Sequence, residues 1–349
     1  MPLTEWLLNL INGGSGSDQI YGGNGINTIN GDDGNDYIDG GNDVDVLTGG
    51  AGIDTASFES LRQAVILTLN ASGGGVATSG LDGDTLTGGF ENVVGTGFND
   101  TITGNTSANI LMGLGGNDTL SGGDGADQLY GGDGDDVLVS GAGGSVINGI
   151  SEIMDGGGGY DTADYSASTS RIILKVDIGG GYGDAEGDKL VSIEKVIGGS
   201  AGDSIYTSTG FTDALRLEGG GGNDQLTGGR GNDIIVGGAD QDLLNGGIGN
   251  GNDTFLFLSH NDFANTDIIG GFKSSGTDKI DLSPIDANPN IAGDQAFIFD
   301  NHGLGGLYIT NTVGPSYTEY TIHFPGYPGQ IIAQVHTGGS ALVAGDFVL

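Results

Sequence analysis

The sequence predicts an all-β chain, a right-handed parallel β-roll or β-helix solenoid closed by a C-terminal antiparallel β cap. Three observations predict it. A nine-residue glycine- and aspartate-rich unit recurs from Gly13 onward, an aliphatic residue follows nearly every aspartate of that unit by two positions, and after Asp253 the rhythm gives way to aromatic and β-branched runs. With 75 glycines and 6 prolines in 349 residues, a chain lacking this periodicity would read as disordered. The period therefore decides the class.

The elements follow in chain order. Met1 to Ile11 carries an apolar run of Leu3, Trp6, Leu7, Leu8, Leu10 and Ile11, but Glu5 stands where a secretory leader has positive charge, so residues 1–12 read as a cap over the first coil. Residues 13–57 form a first roll. Gly13–Tyr21 (GGSGSDQIY) fits G-G-x-G-x-D-x-U-x in full, where U is a large apolar residue. Gly22–Asn30 has Asn27 in the aspartate place, Gly31–Asp39 (GDDGNDYID) restores the acid, and Gly40 and Gly49 open two further units. Residues 58–94 are a wider β coil. A second roll, 95–164, holds Gly113–Ser121 (GLGGNDTLS), Gly122–Tyr130 (GGDGADQLY), Gly131–Val139 (GGDGDDVLV) and Gly156–Asp164. After a second wide coil at 165–197 comes a third roll, 198–257, with Gly219–Thr227 (GGGGNDQLT), Gly228–Val236 (GGRGNDIIV) and Gly237–Asn245.

The two wide coils resemble each other, which predicts a larger repeat of roll plus coil. Asp54-Thr55-Ala56-Ser57-Phe58 opens one and Asp161-Thr162-Ala163-Asp164-Tyr165 the other. Each runs through an alternating strand (Val65, Leu67, Leu69; Ile172, Leu174, Val176) and a glycine tip (Gly73 to Gly75; Gly179 to Gly181). Each returns through Gly-Asp-x-Leu, at Gly83 and at Gly187, and closes on Glu91 to Gly95 or Glu194 to Gly198. Beyond Asp253 the strands Ile268 to Phe272, Lys279 to Leu282, Ala296 to Phe299, Leu307 to Ile309, Tyr320 to Phe324 and Ile331 to Val335 read as an antiparallel cap, separated by turn signals such as Ser274-Ser275-Gly276 and Asn288-Pro289-Asn290. Open solenoid ends need such covers.

The repeat carries chemistry. Six residues of turn and three of strand make half a coil, so residues 18 apart stack. Asp18, Asp36 and Asp54 form one column, Asp100, Asp118 and Asp136 another, and Asp224 with Asp242 a third. Carboxylates stacked at the ~4.8 Å spacing of neighbouring strands repel unless a cation lies between them. Calcium suits the gap, because it takes six to eight oxygens in flexible geometry and the turns offer carbonyls beside the acids, whereas magnesium demands a near-ideal octahedron and keeps its waters. Glycine keeps the turn clear of Cβ atoms and allows φ > 0. Ile20, Ile38, Leu47, Leu120, Leu129, Leu138, Leu226 and Ile235 are expected to point inward. A flexible acidic linker would have no reason to place an aliphatic residue two positions after each acid.

Composition excludes other classes. The balance of 9 basic against 46 acidic residues, a formal net charge of −37, repels nucleic acid and anionic membrane surfaces and favours cations as partners. Cysteine is absent, so neither disulfides nor thiolate metal sites hold the fold. No stretch approaches the ~20 apolar residues of a membrane span.

The nonapeptides resemble the RTX (repeats-in-toxin) haemolysin-type calcium-binding repeats. Residues Thr277 to Phe299 (TDKIDLSPIDANPNIAGDQAFIF), preceded by Asp267-Ile268-Ile269 and Phe272, are similar to the C-terminal domain of serralysin-type secreted metalloproteases, which places a serralysin-like domain at 258–349. The resemblance implies several bound Ca2+ ions. It implies as ligands the aspartates that end each turn: Asp18, Asp36, Asp45, Asp54, Asp100, Asp118, Asp127, Asp136, Asp161, Asp203, Asp224, Asp233, Asp242 and Asp253. Departures from the pattern are Asn27 and Asn109 for the acid, Asp43 and Asp240 for the fourth-position glycine, and a lengthened last turn at Asn250-Gly251. It further implies a secreted, extracellular protein exported by a type I secretion apparatus, with an uncleaved C-terminal signal whose acid-plus-apolar form Asp346-Phe347-Val348-Leu349 has.

No catalytic constellation accompanies the repeats. The H-E-x-x-H of a zinc protease does not occur, and His260, His302, His323 and His336 are scattered, so the protease domain is expected to be absent. Gly198-Gly199-Ser200-Ala201-Gly202 matches G-x-S-x-G formally but precedes no helix signal. The expectation is a non-enzyme, a structural or adhesive calcium-binding protein. The alternative is the export and stability portion of a secreted enzyme, a serralysin-like metalloprotease, lipase or epimerase, whose catalytic domain is missing. A polysaccharide or cell-surface partner is left open by the sequence.

Overall fold

The computed structural model describes residues 9–80, 82–139, 141, 152–249, 251–263, 265–273, 277–285, 308–313, 317–324, 330–336, 341–343 and 346–349. Most of the N-terminal cap reading, the strand at Ala296 to Phe299, both quoted turn signals, Asn250 and His302 lie outside the described residues. Contacts divide the chain into Met1–Asp164 with Gly187–Ile193, and Tyr165–Glu186 with Glu194–Leu349.

The first unit is a parallel β-solenoid with two sheets. One runs through Asn9–Ser15, Asn27–Asp33, Val46–Ala51, Asp82–Gly88, Gly75–Ser79, Ile66–Thr68, Thr101–Thr103, Thr119–Ser121, Val137–Val139 and Thr162–Asp164. The other runs through Gln19–Tyr21, Tyr37–Asp39, Asp54–Ser57, Phe90–Val94, Ile110–Gly115, Gln128–Asp133, Ile153–Gly158 and Lys189–Val191. Between uninterrupted nonapeptides the register is 18 residues, Ile20 pairing with Ile38, Ile29 with Leu47 and Leu120 with Leu138, and it widens to 25 where Leu129 pairs with Met154 and Leu138 with Ala163. The glycine-rich turns reverse the chain between the sheets, and each three-residue strand has room for one inward side chain. Ile20, Ile38, Ala56, Val93, Leu111, Leu129 and Met154 fill the core from one sheet, Ile29, Leu47, Leu86, Ile102, Leu120 and Leu138 from the other, all buried. One aliphatic per strand contributes about 1.5–3 kcal/mol each, a thin core for so much ordered backbone.

The wide coil of this unit leaves the solenoid as an antiparallel excursion, Ile66–Thr68 against Gly75–Ser79 and Gly75–Ser79 against Asp82–Gly88. In the second unit the corresponding segment is a shorter antiparallel pair, Ile173–Lys175 with Gly179–Tyr182, followed by one 3-10 turn at Gly183–Ala185. The anticipated larger repeat is visible in its hydrogen bonds. Phe58 N–H donates to Val94 O, and Leu61 N–H to Phe58 O; at the matching places Tyr165 N–H donates to Ile197 O, and Ser168 N–H to Tyr165 O. Phe58 and Tyr165 are both buried.

The second unit has one sheet through Lys195–Ile197, Arg216–Gly221, Ile234–Ala239, Thr254–Leu256, Lys279–Asp281 and Phe347–Val348. Its other sheet runs through Gly179–Tyr182, Ile173–Lys175, Ser204–Tyr206, Gln225–Thr227, Leu243–Asn245, Asp267–Gly270, Gln330–His336, Tyr317–His323 and Tyr308–Val313. Antiparallel pairing joins Tyr308–Val313, Tyr317–His323 and Gln330–His336. The strands at 267–270 and 279–281, read from sequence as part of that cap, instead pair in parallel with the rolls. Their Asp-x-apolar triads, Asp267-Ile268-Ile269 and Asp278-Lys279-Ile280, keep the solenoid geometry although the glycines have gone, so the parallel coil continues past residue 258.

Candidate metal centres along the aspartate columns

Along each column the aspartate that ends a turn accepts, through Oδ1, the N–H of the residue one coil earlier. Asp18 N–H donates to Asp36 at 2.9 Å, Asp36 to Asp54 at 2.8 Å, Asp100 to Asp118 and Asp118 to Asp136 at 2.7 Å, and Asp224 to Asp242 at 2.9 Å. The three columns drawn from 18-residue spacing are thus physically stacked. Asp45 takes the N–H of Asn27, Asp127 that of Asn109, Asp161 that of Asp136, Asp203 that of Ile172, Asp233 that of Leu215 and Asp253 that of Asp233.

The columns also run on through acids that the nonapeptide search passed over. Asp45 N–H donates to Asp84 Oδ1 at 2.8 Å, Asp54 N–H to Glu91 Oε2 at 2.9 Å, Asp242 N–H to Asp267 Oδ1 at 2.9 Å and Asp253 N–H to Asp278 Oδ1 at 3.1 Å. The signal that finds them is the acid-x-aliphatic triad alone, freed of its glycines. A second ladder lies beside the first at the residue before each aspartate. Asn35 Oδ1 accepts from Ile53 N–H, Asn99 from Asn117, Asn117 from Asp135, Asn223 from Gln241 and Asn232 from Asn252. The recurrent Asn-Asp pair announces it.

The second carboxylate oxygen is where the chemistry lies. Oδ2 of Asp18, Asp36, Asp45, Asp54, Asp118, Asp127, Asp136, Asp224 and Asp242 is buried with no protein partner. It faces the first glycine of its own turn: a Cβ on Gly31 would overlap both Asp36 Oδ2 and the carbonyl oxygen of Gly49. Carboxylate and carbonyl oxygens therefore lie together against the glycine, no protein donor reaches Oδ2, and a buried acceptor left so is costly. Burial accordingly pushes Asp45 and Asp242 up to about 6, Asp118 and Asp127 to about 7 and Asp224 and Asp267 to about 8; the inter-coil N–H bond opposes the shift, and column neighbours such as Asp100 and Asp136 beside Asp118 add to it. Among the described residues no three His, Cys, Asp or Glu side chains form a metal-holding group, so an ion here draws on backbone carbonyls as well as acids. All-oxygen donors in a glycine-lined space fit Ca2+.

The turns divide into two classes. In the turns with unpartnered oxygens the second and fourth residues are left-handed, and not only where they are glycine: Asp32 has φ 73° and Leu114 φ 80°, and at the fourth position Asp43 has 79° and Asp240 80°. Replacement of the fourth glycine at 43 and 240 therefore leaves the turn geometry in place. In the turns opened by Gly95, Gly104, Gly198 and Gly228 the second residue is not left-handed, and its N–H swings inward. Thr96 N–H donates to Asp100 Oδ2 at 2.5 Å, Asn105 N–H to Asn109 Oδ1 at 2.8 Å, Gly199 N–H to Asp203 Oδ2 at 2.7 Å and Gly229 N–H to Asp233 Oδ2 at 2.8 Å. Of the fourteen aspartates singled out by sequence, Asp100, Asp203 and Asp233 thus sit in closed turns, and Asp253 Oδ2 meets Lys273 Nζ at 3.2 Å.

The terminal Asp346-Phe347-Val348-Leu349 is part of the fold. Asp346 is buried and accepts Val343 N–H, and Phe347–Val348 pairs in parallel with Ile280 and Asp281. Ser200 Oγ donates to Ser168 O, and His323 Nε2 lies 2.9 Å from Thr310 Oγ1.

Family profiles match both the repeats and the C-terminal part of the chain. The RTX calcium-binding nonapeptide repeat profile matches four times, at residues 9–29, 21–56, 85–120 and 112–147. The profile of the Peptidase M10 serralysin C terminal matches residues 146–349. No curated protein matches the sequence. Among solved structures, the extracellular lipase LipA from Serratia marcescens aligns over 72% of this chain with 20% identity and a TM-score of 0.30, and the chain spans 40% of the lipase's length. Such repeats imply calcium binding, both families are characteristic of secreted proteins, and no helix among the described residues is long and apolar enough to cross a membrane. The chain carries RTX calcium-binding repeats and, over more than half its length, belongs to the serralysin C-terminal family.

Proposed function

We propose that this chain is a secreted, non-catalytic calcium module, exported unfolded by a type I apparatus and folded outside the cell by Ca2+ held in its open turns. The observation that carries the proposal is the set of nine buried carboxylate oxygens without a protein partner, stacked in columns beside backbone carbonyls. Asp18, Asp36, Asp45, Asp54, Asp118, Asp127, Asp136, Asp224 and Asp242 would hold the ions, each carboxylate supplying negative charge and the glycine-lined turn supplying neutral oxygens. Bound ions would supply the electrostatic neutralisation that the thin core lacks, so binding free energy becomes folding free energy. Affinity in the ~10⁻⁴ to 10⁻³ M range of extracellular modules would keep the chain loose in a calcium-poor cytosol. Calcium titration by calorimetry, followed in parallel by circular dichroism, tests this: heat and β-signal should rise together. A β-spectrum unchanged by excess chelator overturns it.

The export proposal assigns Asp346 to Leu349 two consecutive roles, an address on the unfolded chain and an edge strand in the folded one. Replacing Phe347 by Asp should reduce secretion while the rolls of residues 13–57 still fold with calcium; undiminished secretion removes the first role. A second reading, the stabilising portion of a secreted enzyme, draws support from a matching family described as the C terminus of a peptidase. Assay of the calcium-loaded chain against casein and short-chain esters tests the non-catalytic reading, which turnover of either overturns; a neighbouring reading frame encoding a hydrolase or epimerase would favour the second.

A further inference from the structure

We infer that Lys273 is a tethered cation that replaces an ion at one rung of the solenoid, so that the Asp253–Asp278 rung forms without calcium. The inference rests on the calcium reading of the other open turns. The turn opened by Gly246 belongs to the open class, with φ 98° at Gly247 and 147° at Gly249. Asp253 is 1% exposed, and a Cβ on Gly246 would overlap its Oδ2 just as one on Gly31 would overlap that of Asp36. At its second and fourth residues this turn has the left-handed backbone of those whose carboxylate oxygen has no partner, with two more residues before its aspartate. Here the oxygen has one.

Lys273 Nζ donates to Asp253 Oδ2 at 3.2 Å and to the carbonyl oxygen of Gly251 at 3.0 Å, and lies 3.7 Å from Asp278 Oδ1. Two carboxylates of successive coils and one turn carbonyl are the donor types that surround the space in the other open turns, and here they surround an ammonium. The lysine is itself placed by the rung it neutralises, because its backbone N–H donates to Asp278 Oδ2 at 2.8 Å. An exposed ion pair would count for little, but here the acids are 1% and 2% exposed and only the lysine side chain, at 31%, reaches solvent. Removing the cation leaves two buried carboxylates uncompensated. A covalently attached charge also carries no concentration dependence, in contrast to an ion recruited from solution.

The consequence is an order of assembly. In the calcium-free chain the strands Thr254–Leu256 and Lys279–Asp281 retain their pairing while the ion-dependent rolls are open, and folding in calcium grows from that preformed rung into the neighbouring coils of the same unit. Solenoid folding that nucleates at one place and propagates by nearest neighbours permits this.

Hydrogen exchange on the full chain, in chelator and in calcium, tests it with wild type, Lys273→Met and Lys273→Arg. In chelator, wild-type amides of 254–256 and 279–281 should exchange at least about tenfold more slowly than those of 128–133 and 137–139. Lys273→Met should abolish that difference in chelator, regain protection in calcium, and bind one more Ca2+ per chain by calorimetry, whereas Lys273→Arg should keep the wild-type pattern. Equally fast, unprotected exchange of the two regions in chelated wild type overturns the inference, as does a Lys273→Met variant with unchanged protection, unchanged stoichiometry, or no recovery in calcium. Protection of 128–139 in chelated wild type would instead remove the calcium reading of the rolls, a result distinguishable from any of these.

Discussion

Two turns of one column, Gly95 to Asp100 and Gly113 to Asp118, share a first glycine and a final aspartate and are joined by the bond from Asp100 N–H to Asp118 Oδ1, yet only one presents a free carboxylate oxygen. In the earlier turn Thr96 supplies an N–H and a hydroxyl to Asp100, 2.5 and 2.9 Å away. In the later one Leu114 is held at φ 80° and Asp118 Oδ2 is left bare. The aspartate alone therefore does not define an ion site. The handedness of the second turn residue decides whether the backbone satisfies the acid itself or leaves it to a cation.

The broadest test of this contrast is calcium removal. Chelation should abolish most of the β-type circular dichroism of the rolls, with amide protection vanishing first at Tyr37–Asp39, Gln128–Asp133 and Val137–Val139. Uniform loss across open and closed turns in hydrogen exchange would erase the distinction.

The next largest effect is expected from paired substitutions. Asp118→Ala removes the bare oxygen of its own open turn, and calcium binding measured by calorimetry should weaken by about a hundredfold there, some 2.7 kcal/mol. Asn109→Ala should leave calcium stoichiometry nearly unchanged. It should still cost about 1–3 kcal/mol in thermal unfolding, because the Asn109 amide bonds Glu91 O and Asn105 N–H in a closed turn. Equal loss of stoichiometry in both variants would break the comparison.

Acidity supplies a third handle. Since Asp118, Asp127, Asp224 and Asp267 are raised to between about 7 and 8, their contribution to the calcium-free fold is complete below the unfolded value near 4 and lost as pH rises through 7 and 8. Calcium-free protein should therefore gain β-signal as pH falls from 8 toward 5. The calcium midpoint should move the opposite way, to higher concentration at lower pH, because protons and ions compete for the same oxygens. A midpoint independent of pH between 5 and 8 would show that Asp118, Asp127 and Asp224 are not ligands.

The smallest expected effect concerns Leu114. Holding a leucine left-handed costs about 1–2 kcal/mol, so Leu114→Gly should stabilise the calcium-loaded fold by up to that amount, offset by the added freedom of glycine when unfolded. Thermal melting in saturating calcium measures it; destabilisation would mean that the leucine side chain matters more than its backbone.

The rolls were legible in the sequence because their constraints are local and repeated: a glycine forced by a neighbouring carboxylate, an acid at a fixed place, one inward aliphatic. Those rules gave the 18-residue register and the columns of Asp18, Asp118 and Asp224. The likeness of the two wide coils was legible for the same reason. What escaped were features set by partners distant in sequence. Glu91 and Asp84 join columns 37 and 39 residues after the acid they cap, across excursions whose length no period predicts. Asp267 and Asp278 continue the parallel coil without glycines, so aromatic and β-branched composition there suggested antiparallel strands. The division into open and closed turns depends on a backbone angle, and Leu114, a residue that disfavours that angle, adopts it.

The columns bear on how such a chain tolerates change in length. Successive acids of a column are joined by the same N–H to carboxylate bond whether they lie 18, 20, 21, 25, 37 or 39 residues apart. In the excursion through Ile66–Thr68, Gly75–Ser79 and Asp82–Gly88 the surplus residues pair antiparallel before the column resumes, so the stack counts coils and not amino acids. Gain or loss of a whole coil leaves every remaining acid above its old neighbour, and an insertion of any other size can be looped out at a turn; loss of a single nonapeptide exchanges the two faces and sets the next aspartate on the wrong side. Lengthening by duplication is in this sense a low-risk step for the fold, which makes the number of coils freely variable while the geometry of each rung stays fixed.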